Sequence, residues 1–104
     1  MEFKIQKNGS ALNAEILIVS YDRSIRSEFP EPYTTFILEI DGHKYETSIR
    51  NLKSGATSIA KTFDKNGNKV TRAGLCSIHT LIPGQKVCIE AIVPKQKYRL
   101  TRSS

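Results

Sequence analysis

The 104-residue chain predicts an all-β fold with minor helix, a small open barrel or pseudobarrel of seven to eight strands. Short runs rich in Val, Ile, Leu, Phe and Tyr recur along it. Turn dipeptides separate them at Asp41-Gly42, Asn66-Gly67 and Pro83-Gly84, and little of the sequence has helical spacing. No repeat, low-complexity tract or linker divides the chain, so residues 1–104 are read as one β-barrel-like domain. At this length folding buries roughly two-thirds of the surface exposed by the unfolded chain, enough for one modest core.

Residues 2–7 alternate apolar and polar, with Phe3 and Ile5 on one side, and Asn8-Gly9-Ser10 supplies turn chemistry at the end. Residues 14–21 contain Ile16-Leu17-Ile18-Val19, a β-branched run suited to a more fully buried strand. Pro30 and Pro32 make residues 22–32 a long surface loop. Residues 33–40 and 43–50 flank Asp41-Gly42, which supplies the positive φ angles of a two-residue hairpin turn. Residues 52–61 fit either a short helical turn, with Leu52, Ala56, Ile59 and Ala60 at roughly helical spacing, or an irregular crossover. Asn66-Gly67 marks a second hairpin. Residues 75–81 and 86–93 read as strands joined by a type II turn at Pro83-Gly84, and residues 97–102 form a last strand before Ser103-Ser104 frays. Phe3, Phe36 and Phe63 sit in apolar contexts and are expected in the core.

The net charge of +6 is unevenly placed. Residues 1–42 carry a net −3, residues 43–72 carry +5, and residues 73–104 carry +4. A basic region set against an acidic one points to a polyanionic partner. No apolar stretch approaches the roughly 20 residues of a membrane span, and the opening Met-Glu-Phe-Lys-Ile lacks signal-peptide layout. The expected location is intracellular, cytoplasmic or nucleoid-associated, with no membrane partner.

Catalytic chemistry finds little support. His43 and His79 are the only histidines, neither is in a nucleophile–base motif, and the carboxylates mostly flank turns. Cys76, Cys88 and the two histidines match the ligand number of a zinc site. At strand spacing, however, Cys76 and His79 point to opposite faces of a sheet. Reduced thiols fit better than a disulfide, although both cysteines lie on segments that could pair as a hairpin. The single glycines form no phosphate loop. The expectation is a binding module with no catalytic residue, metal, cofactor or small-molecule substrate.

Residues 43–72 interleave bases with hydroxyls and amides. Lys44, Arg50, Lys53, Lys61, Lys65, Lys69 and Arg72 are the expected phosphate-facing groups. Asn51, Ser54, Asn66 and Asn68 are the expected base or sugar contacts. Trp is absent, which leaves Tyr21, Tyr33, Tyr45 and Tyr98 as stacking platforms. Tyr45 shares its side of the hairpin with Thr47 and Ile49, a packing pattern. This balance favours duplex DNA over a single strand.

Phe63-Asp64-Lys65-Asn66-Gly67-Asn68-Lys69-Val70 and Leu81-Ile82-Pro83-Gly84-Gln85-Lys86-Val87-Cys88-Ile89 resemble the Asn-Gly-Lys hairpin and the Leu-x-x-Gly-Asp-x-Val turn of B3-like DNA-binding domains, including effector domains of some restriction enzymes. Gln85 stands where that family usually has an acid, and no tryptophan follows the first stretch. The resemblance implies a seven-stranded open barrel gripping the major groove of duplex DNA with two arms. A single-stranded nucleic-acid-binding barrel, and a protein-interaction or adaptor domain using the acidic loop from Asp22 to Glu31, are the alternatives.

Overall fold

A computed structural model describes residues 1–9 and 15–102. Ser10 of the first expected turn, Ala14 of the second expected strand and Ser103-Ser104 lie outside the described residues. The strands are β1 (Glu2–Asn8), β2 (Glu15–Ser20), β3 (Phe36–Ile40), β4 (His43–Thr47), β5 (Ile49–Asn51), β6 (Thr57–Ile59), β7 (Thr62–Lys65), β8 (Asn68–Thr71), β9 (Lys86–Val93) and β10 (Lys97–Arg102). Among the described residues there are also one α-helix, α1 (Arg72–Ile78), and a 3-10 helix, Arg23–Glu28.

All ten strands join one sheet in the order β5-β6-β2-β1-β9-β10-β3-β4-β7-β8. Only Ser48 separates β4 from β5, so they act as one bent strand, and only Ala60 and Lys61 separate β6 from β7. The Ala60 N–H donates to the Ser48 carbonyl at 2.9 Å, tying the two bends together. These continuities link distant positions in the strand order, so the sheet curls into a barrel-like wrap. Two mergers reduce ten strands to eight, consistent with the expected all-β architecture. Pairing is antiparallel except between β10 and β3.

Side-chain alternation builds the core. Phe3 and Ile5 of β1, Phe36, Leu38 and Ile40 of β3, Val87 and Ile89 of β9, and Tyr98 and Leu100 of β10 enter one buried cluster with Phe63. Strand β2 is covered on both faces: Ile18 faces that cluster, while Leu17 and Val19 pack with Ala56 and Leu52 in a second, smaller one.

Both hairpin turns match their sequences. Asp41 and Gly42 have φ of 51° and 80°, and Asn66 and Gly67 have 54° and 84°, as a type I′ turn requires. At Pro83-Gly84, the Gln85 N–H donates to the Ile82 carbonyl at 3.1 Å, closing a turn in which Gly84 has φ of 93°.

Three segments depart from the sequence reading. Residues 75–81 are not a strand, because the chain from Arg72 to Ile78 is helical. Its buried positions 72, 75, 76 and 79 follow helical spacing, and the Thr71 hydroxyl caps the start by accepting from Gly74 N–H at 3.1 Å. Cys76 and Cys88 therefore do not face each other across a hairpin, and both are free thiols. In residues 52–61 the irregular alternative holds and the helical one does not, and the segment adds the unexpected strand β6. Finally, residues 22–32 do more than skirt the surface, because Ile25 and Phe29 insert into the core.

Phe29 stacks on Tyr98 with ring centroids 4.6 Å apart and contacts Phe36 and Phe3 at 5.7 and 5.9 Å. The Tyr98 hydroxyl donates to the Glu28 carbonyl at 2.6 Å. A second tie joins the β3–β4 turn, the end of α1 and β10. Arg102 donates through both terminal nitrogens to Asp41 at 2.7 and 2.8 Å, and His79 Nδ1 donates to Asp41 at 2.9 Å. The buried Tyr45 hydroxyl donates to His79 Nε2 at 2.7 Å.

Phe29→Ala is expected to lower the unfolding free energy by about 3–5 kcal/mol in urea titration. Hydrogen bonds from Arg102, then from His79, hold the Asp41 carboxyl well below its ordinary value of 3.8. A carboxyl depressed on folding contributes stability that is complete above its unfolded pKa and is lost as pH falls toward the folded value. The urea midpoint is therefore expected to fall on acidification below about pH 4. Asp41→Asn, which retains a residue suited to positive φ, is expected to lower the midpoint at neutral pH and flatten the acid limb relative to the parent.

Candidate nucleic-acid interface

Among the described residues, folding pairs three of the five bases of residues 73–104 with acids from the first region, and leaves most bases of residues 43–72 without a carboxylate partner. Glu39 lies 3.6 Å from Lys97 and 3.2 Å from Arg99, Asp41 pairs with Arg102, and Glu90 pairs with the terminal ammonium. Register explains part of this pattern, since Glu90, Arg99, Glu39 and Lys44 stand opposite one another in turn across β9, β10, β3 and β4. Of the bases in residues 73–104, Lys86 and Lys95 alone have no ion pair among the described residues.

Within residues 43–72, Lys44, Arg50, Lys53, Lys65 and Lys69 have no carboxylate partner among the described residues. Lys61 is exposed, 4.0 Å from Glu15. Arg72 corrects the expected surface: its side chain is buried, pairs with Glu15 at 2.7 Å and donates to the Ile59 carbonyl at 2.7 Å and Ser58 Oγ at 3.2 Å. Burial lowers its pKa, and Glu15 offsets part of that effect. Arg72 thus anchors α1 to β6 and cannot reach a phosphate outside.

The remaining groups fall at two ends of the bent β4–β5 strand. At one end, the β7–β8 hairpin presents Lys65, Asn66, Asn68 and Lys69 beside Lys44. The Asp64 carboxylate accepts from Gly67 N–H at 2.8 Å and steadies the tip. The Lys65 ammonium donates to His43 Nδ1 and lies 5.9 Å from the centroid of the Tyr45 ring. Lys65 is therefore held by an aromatic ring and an imidazole rather than by a carboxylate.

At the other end, Asn51, Lys53 and Ser54 line an open cleft of about 380 Å³ with Gly55, Arg23 and Arg26. Leu52 and Ala56 pack on Leu17 and Val19, which fixes the loop between them. Arg50 lies between the two ends, opposite Ser58 on β6. Lys44 and Asn51 are seven positions apart, at most roughly 23 Å along a strand.

The sequence reading places Arg23 and Arg26 within a surface loop and gives them no role. Their three-residue spacing within a helical turn was the available signal. Tyr45 and Tyr98 are buried, leaving Tyr21 and Tyr33 as the exposed rings among the four proposed platforms. The Asp41–His79–Tyr45 chain has the geometry of a proton relay. Its terminal hydroxyl is buried, however, and burial raises the Tyr45 pKa, keeping the group a neutral hydrogen-bond donor.

Among the described residues, no three or more His, Cys, Asp or Glu side chains gather as a metal site, and no helix is long and apolar enough to cross a membrane. No protein family, curated protein or solved structure matches this chain.

Gly55 has φ of +86°, and a Cβ there would lie 3.0 Å from Arg23 Nε. Gly55→Ala combines backbone strain with displacement of that guanidinium, and is expected to cost about 1 kcal/mol or more in urea unfolding.

Proposed function

We propose that this protein is a non-catalytic duplex-DNA-binding module whose contact surface runs along residues 43–72. The observation that carries this reading is the segregation of unpaired cations. Folding pairs several bases of the C-terminal region with acids from the first part of the chain, while Lys44, Arg50, Lys53, Lys65 and Lys69 keep their charge available.

Exposed, unpaired lysines neutralise phosphates and release condensed counterions, which is the main source of sequence-independent DNA affinity. Asn66 and Asn68 at the hairpin tip carry the amides that can pair bidentately with an adenine edge. Two basic ends along one bent strand are what contacts on both sides of a major groove about 12 Å wide would use. The B3-like sequence resemblance supports the same geometry. Burial of Tyr45 and Tyr98 favours a duplex over a single strand, which needs a row of exposed rings.

Fluorescence anisotropy with a labelled random duplex and its single strand, at several salt concentrations, tests the reading. The duplex is expected to bind more tightly, with affinity falling steeply as salt rises. Lys65→Ala/Lys69→Ala is expected to lower the magnitude of the log–log salt slope by about one to two units. An unchanged slope removes this hairpin from the interface, and absence of duplex binding at low salt removes the DNA reading.

A further inference from the structure

We propose that the cleft between the 3-10 helix and the loop at residues 52–56 is a phosphate-binding site. Arg23, Arg26 and Lys53 supply its charge. This inference rests on the DNA-binding reading for its ligand, a backbone phosphodiester, and adds two arginines from outside the basic segment.

The guanidinium groups are positioned chiefly by neutral acceptors. Arg23 Nη2 donates to the Ser54 carbonyl at 3.3 Å, Arg26 Nε to Asn51 Oδ1 at 2.9 Å, and Arg26 Nη1 to the Pro30 carbonyl at 3.3 Å. Such contacts restrict the side chains without cancelling their charge, so less rotamer freedom is lost when an anion binds. Among the described residues, the one carboxylate paired with either arginine is Glu31, 3.5 Å from Arg26 Nη2 and 91% exposed, where solvent screens the pair. Asp22 is engaged locally, accepting from Ser24 N–H at 3.0 Å and Ser24 Oγ at 2.6 Å.

The helix carrying these arginines is anchored by Ile25, with Phe29 buried just beyond it, and the opposing loop is anchored by Leu52 and Ala56. Both walls of the cleft are thus tied to buried residues. Arg23 and Arg26 also line a neighbouring cleft that contains Lys95 together with the exposed Glu31. Planar guanidinium forks match the oxygens of a phosphate group, and Lys53 adds a mobile point charge.

The test combines inorganic phosphate titration, followed by NMR of the arginine Nε–H groups, with the duplex salt-slope measurement. Variants are Arg23→Gln/Arg26→Gln and, to separate binding from any loss of loop packing, Lys53→Gln. Saturable phosphate shifts at Arg23 and Arg26 are expected. The salt-slope magnitude is expected to fall by about one to two units in the double variant and about one in Lys53→Gln, with residual binding through Lys65 and Lys69. Reduced slopes without phosphate shifts support a site specific to the phosphodiester. Phosphate shifts with unchanged slopes, or without duplex binding, support a phosphate site but overturn its assignment to DNA. Duplex binding with unchanged slopes and no phosphate shift overturns the cleft while leaving the hairpin reading intact; no response in either arm overturns both.

Discussion

The packing of Phe29 against Tyr98 is the contact on which the arrangement of the candidate surface depends. A segment containing Pro30 and Pro32 cannot contribute regular ladder hydrogen bonds throughout, so side chains hold it to the barrel. Phe29 fills a gap among rings from β1, β3 and β10, and the Tyr98 hydroxyl satisfies the Glu28 carbonyl at the same point. With this end pinned, the preceding 3-10 helix brings Arg23 and Arg26 against the loop carrying Lys53. The aromatic core and the basic cleft are therefore two sides of one element.

Electrostatic sorting gives a second level of organisation. The acidic first region and the basic last region are far apart in sequence, but parallel pairing of β3 with β10 makes them neighbours. Glu39 and Asp41 consume charges that composition alone assigns to the basic half. The Asp41–His79–Tyr45 chain extends this tie inward and braces the ring beneath Lys65. What composition presents as one broad basic half becomes a largely paired sheet beside a less compensated surface.

Much of the fold was legible because local chemistry and tertiary structure agree. Asp41-Gly42 and Asn66-Gly67 demand positive φ angles wherever they occur between β-rich runs, and the alternation of Phe3 with Ile5 specifies an inward face. The α1 helix was obscured because Leu75, Cys76 and His79 combine an apolar, a thiol and a titratable residue on one face. His79 becomes a buried partner only when Asp41 and Tyr45 are brought to it. Phe29 was hidden by its prolines, whose local effect suggests an exposed loop while a distant aromatic pocket draws the segment inward.

The sequence by itself determined the β class, both hairpins, the type II turn and the concentration of positive charge in residues 43–72. These follow from backbone preferences, period-two patterning and composition, which act over a few residues. Tertiary structure decided that Arg72 is an internal anchor, that Arg23 and Arg26 join Lys53, and that Lys97, Arg99 and Arg102 are paired. Those outcomes depend on which strands and loops meet across the barrel, because burial and ion pairing are set by neighbours in space.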